Sequence, residues 1–220
     1  MNLNQTAIFA ALVPLAFAGA ANAGFVAYTV DSSTIGGLTV HRVYAQFDST
    51  SDTVLRAFNI HAVQGDLTGF IHNDIVSGTE SISSGSWNPN FVLAGSGDSY
   101  LCIGGPAVLA GGNTTLADSG WMSGWNTASI PDYASTGIAG WYNSLTENMQ
   151  GRADASGRVL LGQFVLSAGH TARTISLRIG HNTSFGSPVS ESQGTFTLVP
   201  GPGACALLAL AGIAARRRRN

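Results

Sequence analysis

The sequence contains no lysine. All ten basic residues are arginines, and Arg216, Arg217, Arg218 and Arg219 form a terminal block, leaving six arginines against twelve acids before it, a net charge of −6. A body of that sign lacks the positive footprint that nucleic-acid binding requires. Cysteine is almost as scarce. Cys102 and Cys205 are too few for a disulfide framework and lack the spacing of a zinc module. Cys102 is expected to be a free, buried thiol, and Cys205 to be one more small residue of an apolar run. Charged residues make up only 10% of the chain, which leaves no charged helix faces and argues against a helical protein. The nucleophile-elbow pattern Gly-x-Ser-x-Gly is absent, so an α/β-hydrolase has no foothold.

What the chain has instead is glycine, serine, threonine and asparagine, the composition of short strands joined by turns. Strands are predicted over 25–30, 38–47 and 54–63. The change of apolar parity at Val43 suggests a bulge near Arg42. In the third run Val54, Phe58, Ile60 and Ala62 share a face, and the second and third runs read as an antiparallel hairpin around the polar turn 48–52. Shorter candidates lie at 69–71, 90–93 and 99–103. Periodicity is then lost from 104 to about 151, a long loop holding Trp121, Trp125, Tyr133, Trp141 and Tyr142. It returns at 158–166, apolar on both parities as in a strand buried on both faces, after a turn at 154–157. The stretch 174–179 alternates apolar inward and polar outward, and 194–198 is a last strand. Irregularly spaced strands without an amphipathic helix point to an all-β chain, a single antiparallel β-sandwich over 24–198 carrying a long aromatic-rich loop.

The two ends read differently. Residues 1–23 have the apolar core and the Ala21-Asn22-Ala23 small-x-small site of a secretory signal helix, cleaved before Gly24. At the other end, Val199-Pro200-Gly201-Pro202-Gly203 breaks the chain before an uncharged apolar helix over 204–215 and the arginine block. That helix would be about 18 Å long, short of the ~30 Å hydrocarbon core, and its arginines would stay on the cytoplasmic side. The order Val199-Pro200-x-Pro202, apolar segment, arginine cluster resembles the PEP-CTERM sorting signal of bacterial surface proteins. The resemblance implies an exosortase-type membrane protease as partner, membrane attachment through residues 199–220, and delivery to the cell envelope or surface. It departs from the family motif at Gly201, where the motif has Glu. A plain tail anchor is the alternative. The stretches 40–47 and 157–164 also resemble recurring segments of such surface proteins, to which no activity is attached.

No catalytic constellation stands out. His41, His61, His72, His170 and His181 lack metal-site spacing, although His41 and His61, in neighbouring predicted strands, could face each other. Asp154 opens a turn resembling a calcium loop, but Val165 stands at its twelfth position, where a carboxylate is needed. Asp48, Asp52 and Asp66 could hold a structural calcium that tethers loops; no other cofactor is implied. Glu80, Glu147 and Glu191 sit in polar surroundings that give no glycosidase pair. The aromatic loop, with Asn126, Asp132 and Asn143 interleaved, could stack on sugar rings, so that Trp121, Trp125, Tyr133, Trp141 and Tyr142 would bind an extracellular polysaccharide. Alternatively its tryptophans anchor the loop to the core. The leading expectation is therefore a non-enzymatic exported surface or matrix protein. A carbohydrate-binding module is the second, and an extracellular hydrolase the third, kept because β-sandwiches host many functions.

Overall fold

The computed structural model describes residues 24–71, 87, 97–104, 113–117, 129–130, 132, 140–184 and 186–201. Among them the chain forms nine strands: β1 (Phe25–Ile35), β2 (Leu38–Phe47), β3 (Thr53–Gln64), β4 (Tyr100–Leu101), β5 (Thr115–Ala117), β6 (Gly140–Asn143), β7 (Arg158–Ser167), β8 (Arg173–Asn182) and β9 (Ser190–Leu198). One short 3-10 turn, Thr146–Asn148, is the only helical element of the described residues. The strands build two antiparallel sheets, β1-β2-β7-β4 and β5-β6-β3-β8-β9. The predicted flanking helices, residues 1–23 and 204–215, lie outside the described residues. No described helix is long and apolar enough to cross a membrane.

One apolar core joins the two sheets. Val43, Ala45, Phe47, Val159, Leu161, Phe164 and Leu166 come from the first, and Val54, Ala57, Ile60, Trp141, Ile175, Leu177, Ile179, Phe196 and Leu198 from the second. The clean alternation expected along 174–179 is present: Ile175, Leu177 and Ile179 enter the core, while Ser176 and Arg178 take the other face. Tyr28 ties the sheets together, packing edge-on against Phe196 at 5.7 Å between ring centres and donating its hydroxyl to the Leu177 carbonyl at 3.0 Å.

The bulge expected near Arg42 belongs to the partner strand. Residues 27–35 pair with β2 in one unbroken register, but against β7 the register shifts between Val43 and Tyr44, so Leu161 is the extra residue. Accordingly Val159 and Leu161 point into the core, then Phe164 and Leu166 do, which explains the mixed parity of β7. The early change of parity in β2 has a different cause. Val40 lies on the outer face and is buried there, with Gly97 packed against it and Leu38. The Ile71 amide and the Ser99 hydroxyl bond the backbone of Val165 at the adjoining edge. A second apolar cluster, Tyr100, Cys102 and Leu160 with Tyr44 against it, occupies the same outer face.

Three expectations are corrected. The runs 38–47 and 54–63 do not form a hairpin: β2 and β3 lie in different sheets, and the turn at 48–52 carries the chain from one to the other. Phe58 does not share a face with Val54 and Ile60, because β3 shifts register against β8 three times and Asn59 adopts a left-handed φ of 52°, a conformation asparagine tolerates. Finally, the stretch 104–151 is not all loop. It contributes β5 and β6, whose three- and four-residue lengths are too short to show a period.

Candidate functional site

The outer face of the second sheet carries two cross-strand rows. In one, Tyr142 on β6 pairs with Arg56 on β3, then Gly180 on β8 and Glu191 on β9; in the other, Gly140 pairs with Phe58, Arg178 and Gln193. The glycines shape the surface. A Cβ at Gly180 would come within 2.9 Å of the Arg56 Nε, so the missing side chain is what lets Arg56 lie across β8 and reach Glu191 at 2.5 Å. A Cβ at Gly140 would lie 2.7 Å from that of Phe58, so β6 approaches β3 only with glycine there. Glu191 also faces Arg178 at 3.7 Å, and Arg178 donates to Gln193 at 3.0 Å. Both guanidiniums stand over the Phe58 ring, at 4.6 and 5.9 Å. Beside this network a groove of about 310 Å³ opens between β3 and β6, lined by Arg56, Phe58, Gly140, Tyr142, Asn143 and Thr146 among others.

Two of the five candidate glycan-binding aromatics fall in this region, on opposite faces of β6. Trp141 is 1% exposed, packs in the core and donates its indole N–H to the Cys102 carbonyl at 3.0 Å. For this residue the anchoring alternative holds. Tyr142 is 37% exposed and borders the groove. Trp121, Trp125 and Tyr133 lie outside the described residues, as does Asn126. The partners that sequence reasoning missed are Arg56, Phe58 and Arg178, and Glu191 is weighed there only as a glycosidase carboxylate. Their only trace is an i, i+2 spacing of functional groups on three strands, Arg56 with Phe58, Arg178 with Gly180 and Glu191 with Gln193.

The histidines pair differently from expectation. His41 and His61 belong to different sheets. His61 lies 3.7 Å from Asp132, whereas His41 meets His170, Nε2 to Nε2 at 3.1 Å. His72 is outside the described residues. The Thr171 carbonyl, 2.8 Å from the His170 Nδ1, can only accept, so that nitrogen carries the proton. His41 Nε2–H therefore donates to His170, and His41 Nδ1 accepts from the Ser32 hydroxyl at 2.8 Å. The order serine, base, orienting group is that of a nucleophile chain. However, burial, then the charges of His170 and Arg173, lower the His41 pKa to about 4, and such a base does not strip a serine of its proton efficiently. Cys102 is free and buried, and its thiol pKa is pushed up by burial, which keeps it protonated.

The three aspartates considered for calcium are not brought together. Asp52 and Asp66 flank opposite ends of β3, and Asp66 is engaged by the Thr68 amide and hydroxyl at 2.9 and 2.8 Å and by Arg173 at 3.0 Å. Among the described residues no group of three histidine, cysteine or carboxylate side chains is arranged to hold a metal. Asp154 serves its own turn, accepting from the Ser156 and Arg158 amides.

Of the end signals, Gly24, Val199, Pro200 and Gly201 are described; Ala21, Ala23, Pro202 and the four terminal arginines are not. β9 runs directly into Val199 and Pro200. Gly201, the position at which the tail departs from the PEP-CTERM motif, is buried against the turn between β1 and β2. Its amide donates to Thr39 Oγ1 at 3.2 Å, and a Cβ there would lie 2.8 Å from Thr34 Oγ1 and 2.9 Å from Thr39 Oγ1. Any side chain at 201 has to displace a threonine. Comparison with family models, curated proteins and solved structures finds no match for this chain.

Proposed function

We propose that this chain is an exported, non-enzymatic protein of the cell surface or extracellular matrix. Its residues 24–198 form a single β-sandwich and residues 199–220 form the sorting tail. In this reading a signal peptidase cuts before Gly24, and an exosortase-type membrane protease takes the chain by the tail. The observation that carries it is the order of elements at the two ends, an apolar leader with a small-x-small site and a Pro/Gly break, apolar run and arginine block, around one core shared by two sheets. Mass spectrometry of the C-terminal peptide, on protein isolated from its own host, tests it. Loss of residues 216–219 with a new end near 200–204 is expected. An intact Asn220 in the membrane fraction would reduce the tail to a plain anchor. Turnover of any substrate on a broad glycan and ester panel would overturn the non-enzymatic part.

A second reading, binding of an extracellular polysaccharide, is favoured by the groove beside Tyr142. An exposed aromatic ring next to a fixed array of donors and acceptors, Arg56, Glu191, Arg178 and Gln193, offers both the flat apolar surface and the hydrogen bonds that a sugar ring presents partners for. Affinity electrophoresis of the protein through gels containing single polysaccharides, with Tyr142→Ala and Arg56→Ala beside the wild type, reads this directly. Retention that both substitutions weaken supports it, and equal mobility of all three proteins in every gel removes it.

A further inference from the structure

The start of β1 meets an acidic corner. The Gly24 nitrogen lies 2.6 Å from Asp48 Oδ1, and the Asp48 amide donates back to the Gly24 carbonyl at 3.3 Å. Phe25 fixes the position of that end, its ring 4.8 Å from Tyr28 and 6.1 Å from Phe47. Beside Asp48 stands Asp52, which is 0% exposed and whose two carboxylate oxygens accept no hydrogen bond of normal geometry. Its pKa is raised by burial and then by the Asp48 charge, and the Ser49 amide opposes this only in part. The described salt bridges engage Asp31, Asp66, Asp132 and Glu191, and none reaches Asp48 or Asp52. Two neighbouring carboxylates, one of them enclosed and neither in an ion pair, call for a cation, and no described side chain supplies it.

The missing cation is one that maturation creates. Hydrolysis of the Ala23–Gly24 bond adds water across it, leaving a carboxylate on Ala23 and a primary amine on Gly24 that takes up a proton. We propose that the corner formed by Asp48 and Asp52 is the binding site for the ammonium of the mature amino terminus, so that signal-peptide removal completes the charge balance of the domain. The inference rests on the export reading above. In the precursor, Gly24 offers Asp48 a neutral amide; in the mature chain the same atom offers a charge-assisted bond at the same distance, the stronger kind of contact. It also offsets the Asp48 charge, which raises the pKa of the buried Asp52.

The absence of lysine makes the test clean, because the amino terminus is then the only primary amine of the mature protein. Protein exported by its own host is first mapped at its amino terminus. It is then labelled with limiting acetic anhydride at pH 7, in the wild type and in Asp48→Asn. Holding the amine as ammonium should slow its acylation about two- to fivefold relative to Asp48→Asn, the range expected of an exposed ion pair. A charge comparison keeps the test independent of any folding defect in the variant: acetylated wild-type protein should melt below wild-type protein whose amine is dimethylated and still charged. An amino terminus other than Gly24 overturns the proposal through the export reading. A Gly24 terminus with equal acylation rates and equal melting of the two modified forms overturns the docking alone.

Discussion

The two sheets use their outer faces in opposite ways. On the first, Tyr44, Tyr100, Cys102 and Leu160 form a second apolar cluster, and Val40 and Val165 are covered as well. On the second, Arg56, Arg178, Glu191 and Gln193 form a charged network beside the groove and the half-exposed Tyr142. A face covered by its own chain adds stability and is closed to partners. The open face gives up that burial and keeps functional groups at fixed positions on rigid strands. The contrast is sharpest in β6, where neighbouring aromatics serve one role each.

The largest effect is expected at Trp141. Replacing it by alanine empties core volume and leaves the Cys102 carbonyl without the indole donor, a loss of about 3–5 kcal/mol in denaturant unfolding. A loss below about 1 kcal/mol would mean that the ring is not part of the core, and the comparison within β6 would fail. Next comes Leu160→Ala on the covered face, expected to cost about 2–4 kcal/mol. A loss near zero would show that this cluster is a surface and not a second core, making the two outer faces alike.

The covered sheet also holds the buried histidine pair. His41, with its pKa lowered to about 4, favours the folded state above the ordinary value of about 6.5, where it is neutral in both states. As pH falls from about 6.5 toward 4 the unfolded chain takes up the proton first, so stability declines across that window by at most about 3 kcal/mol. His181, also lowered by burial, adds in the same sense, while Asp52, whose pKa is raised, opposes it at lower pH. Imidazole NMR titration checks the origin. A His41 signal titrating near 6.5 would remove it.

These contrasts were legible in the sequence to very different degrees. The interior strand β7 and the alternating β8 stand out because their apolar residues are bulky and periodic, and their boundaries differ from expectation by only a few residues. The assignment of β2 and β3 to separate sheets does not, because a polar turn of five residues is compatible with both a hairpin and a crossing between sheets. The change of parity along β2 comes from Val40 on the covered outer face, whereas the bulge lies in β7, whose mixed parity reads equally well as a strand buried on both faces. The groove depends wholly on register. Arg56, Tyr142, Gly180 and Glu191 are up to 135 positions apart and become one row only through pairing across four strands. Likewise the acidic corner at Gly24 looked like part of a calcium set, because Asp48, Asp52 and Asp66 are close in sequence; a twelve-residue strand lies between the last two.

The smallest change in stability, and the most informative for function, is expected at Tyr142. Its ring is already partly in solvent, so Tyr142→Ala should shift unfolding by less than about 1 kcal/mol. If the open face binds polysaccharide, the same substitution should reduce retention severalfold, since stacking on an aromatic face is a large part of what such a shallow site offers a sugar. Stability and retention must therefore separate at this residue, while at Trp141 they fall together because unfolding abolishes both. Arg56→Ala is the companion measurement: it breaks an exposed ion pair with Glu191 worth about 0.2–1 kcal/mol and removes a cation from over Phe58. If Tyr142→Ala destabilised the fold as much as Trp141→Ala, the ring would belong to the packing of β6 and the open face would lose the one exposed aromatic contact it has among the described residues. A stable variant with unchanged retention would instead place any sugar binding elsewhere, with Trp121, Trp125 and Tyr133 as the next residues to change.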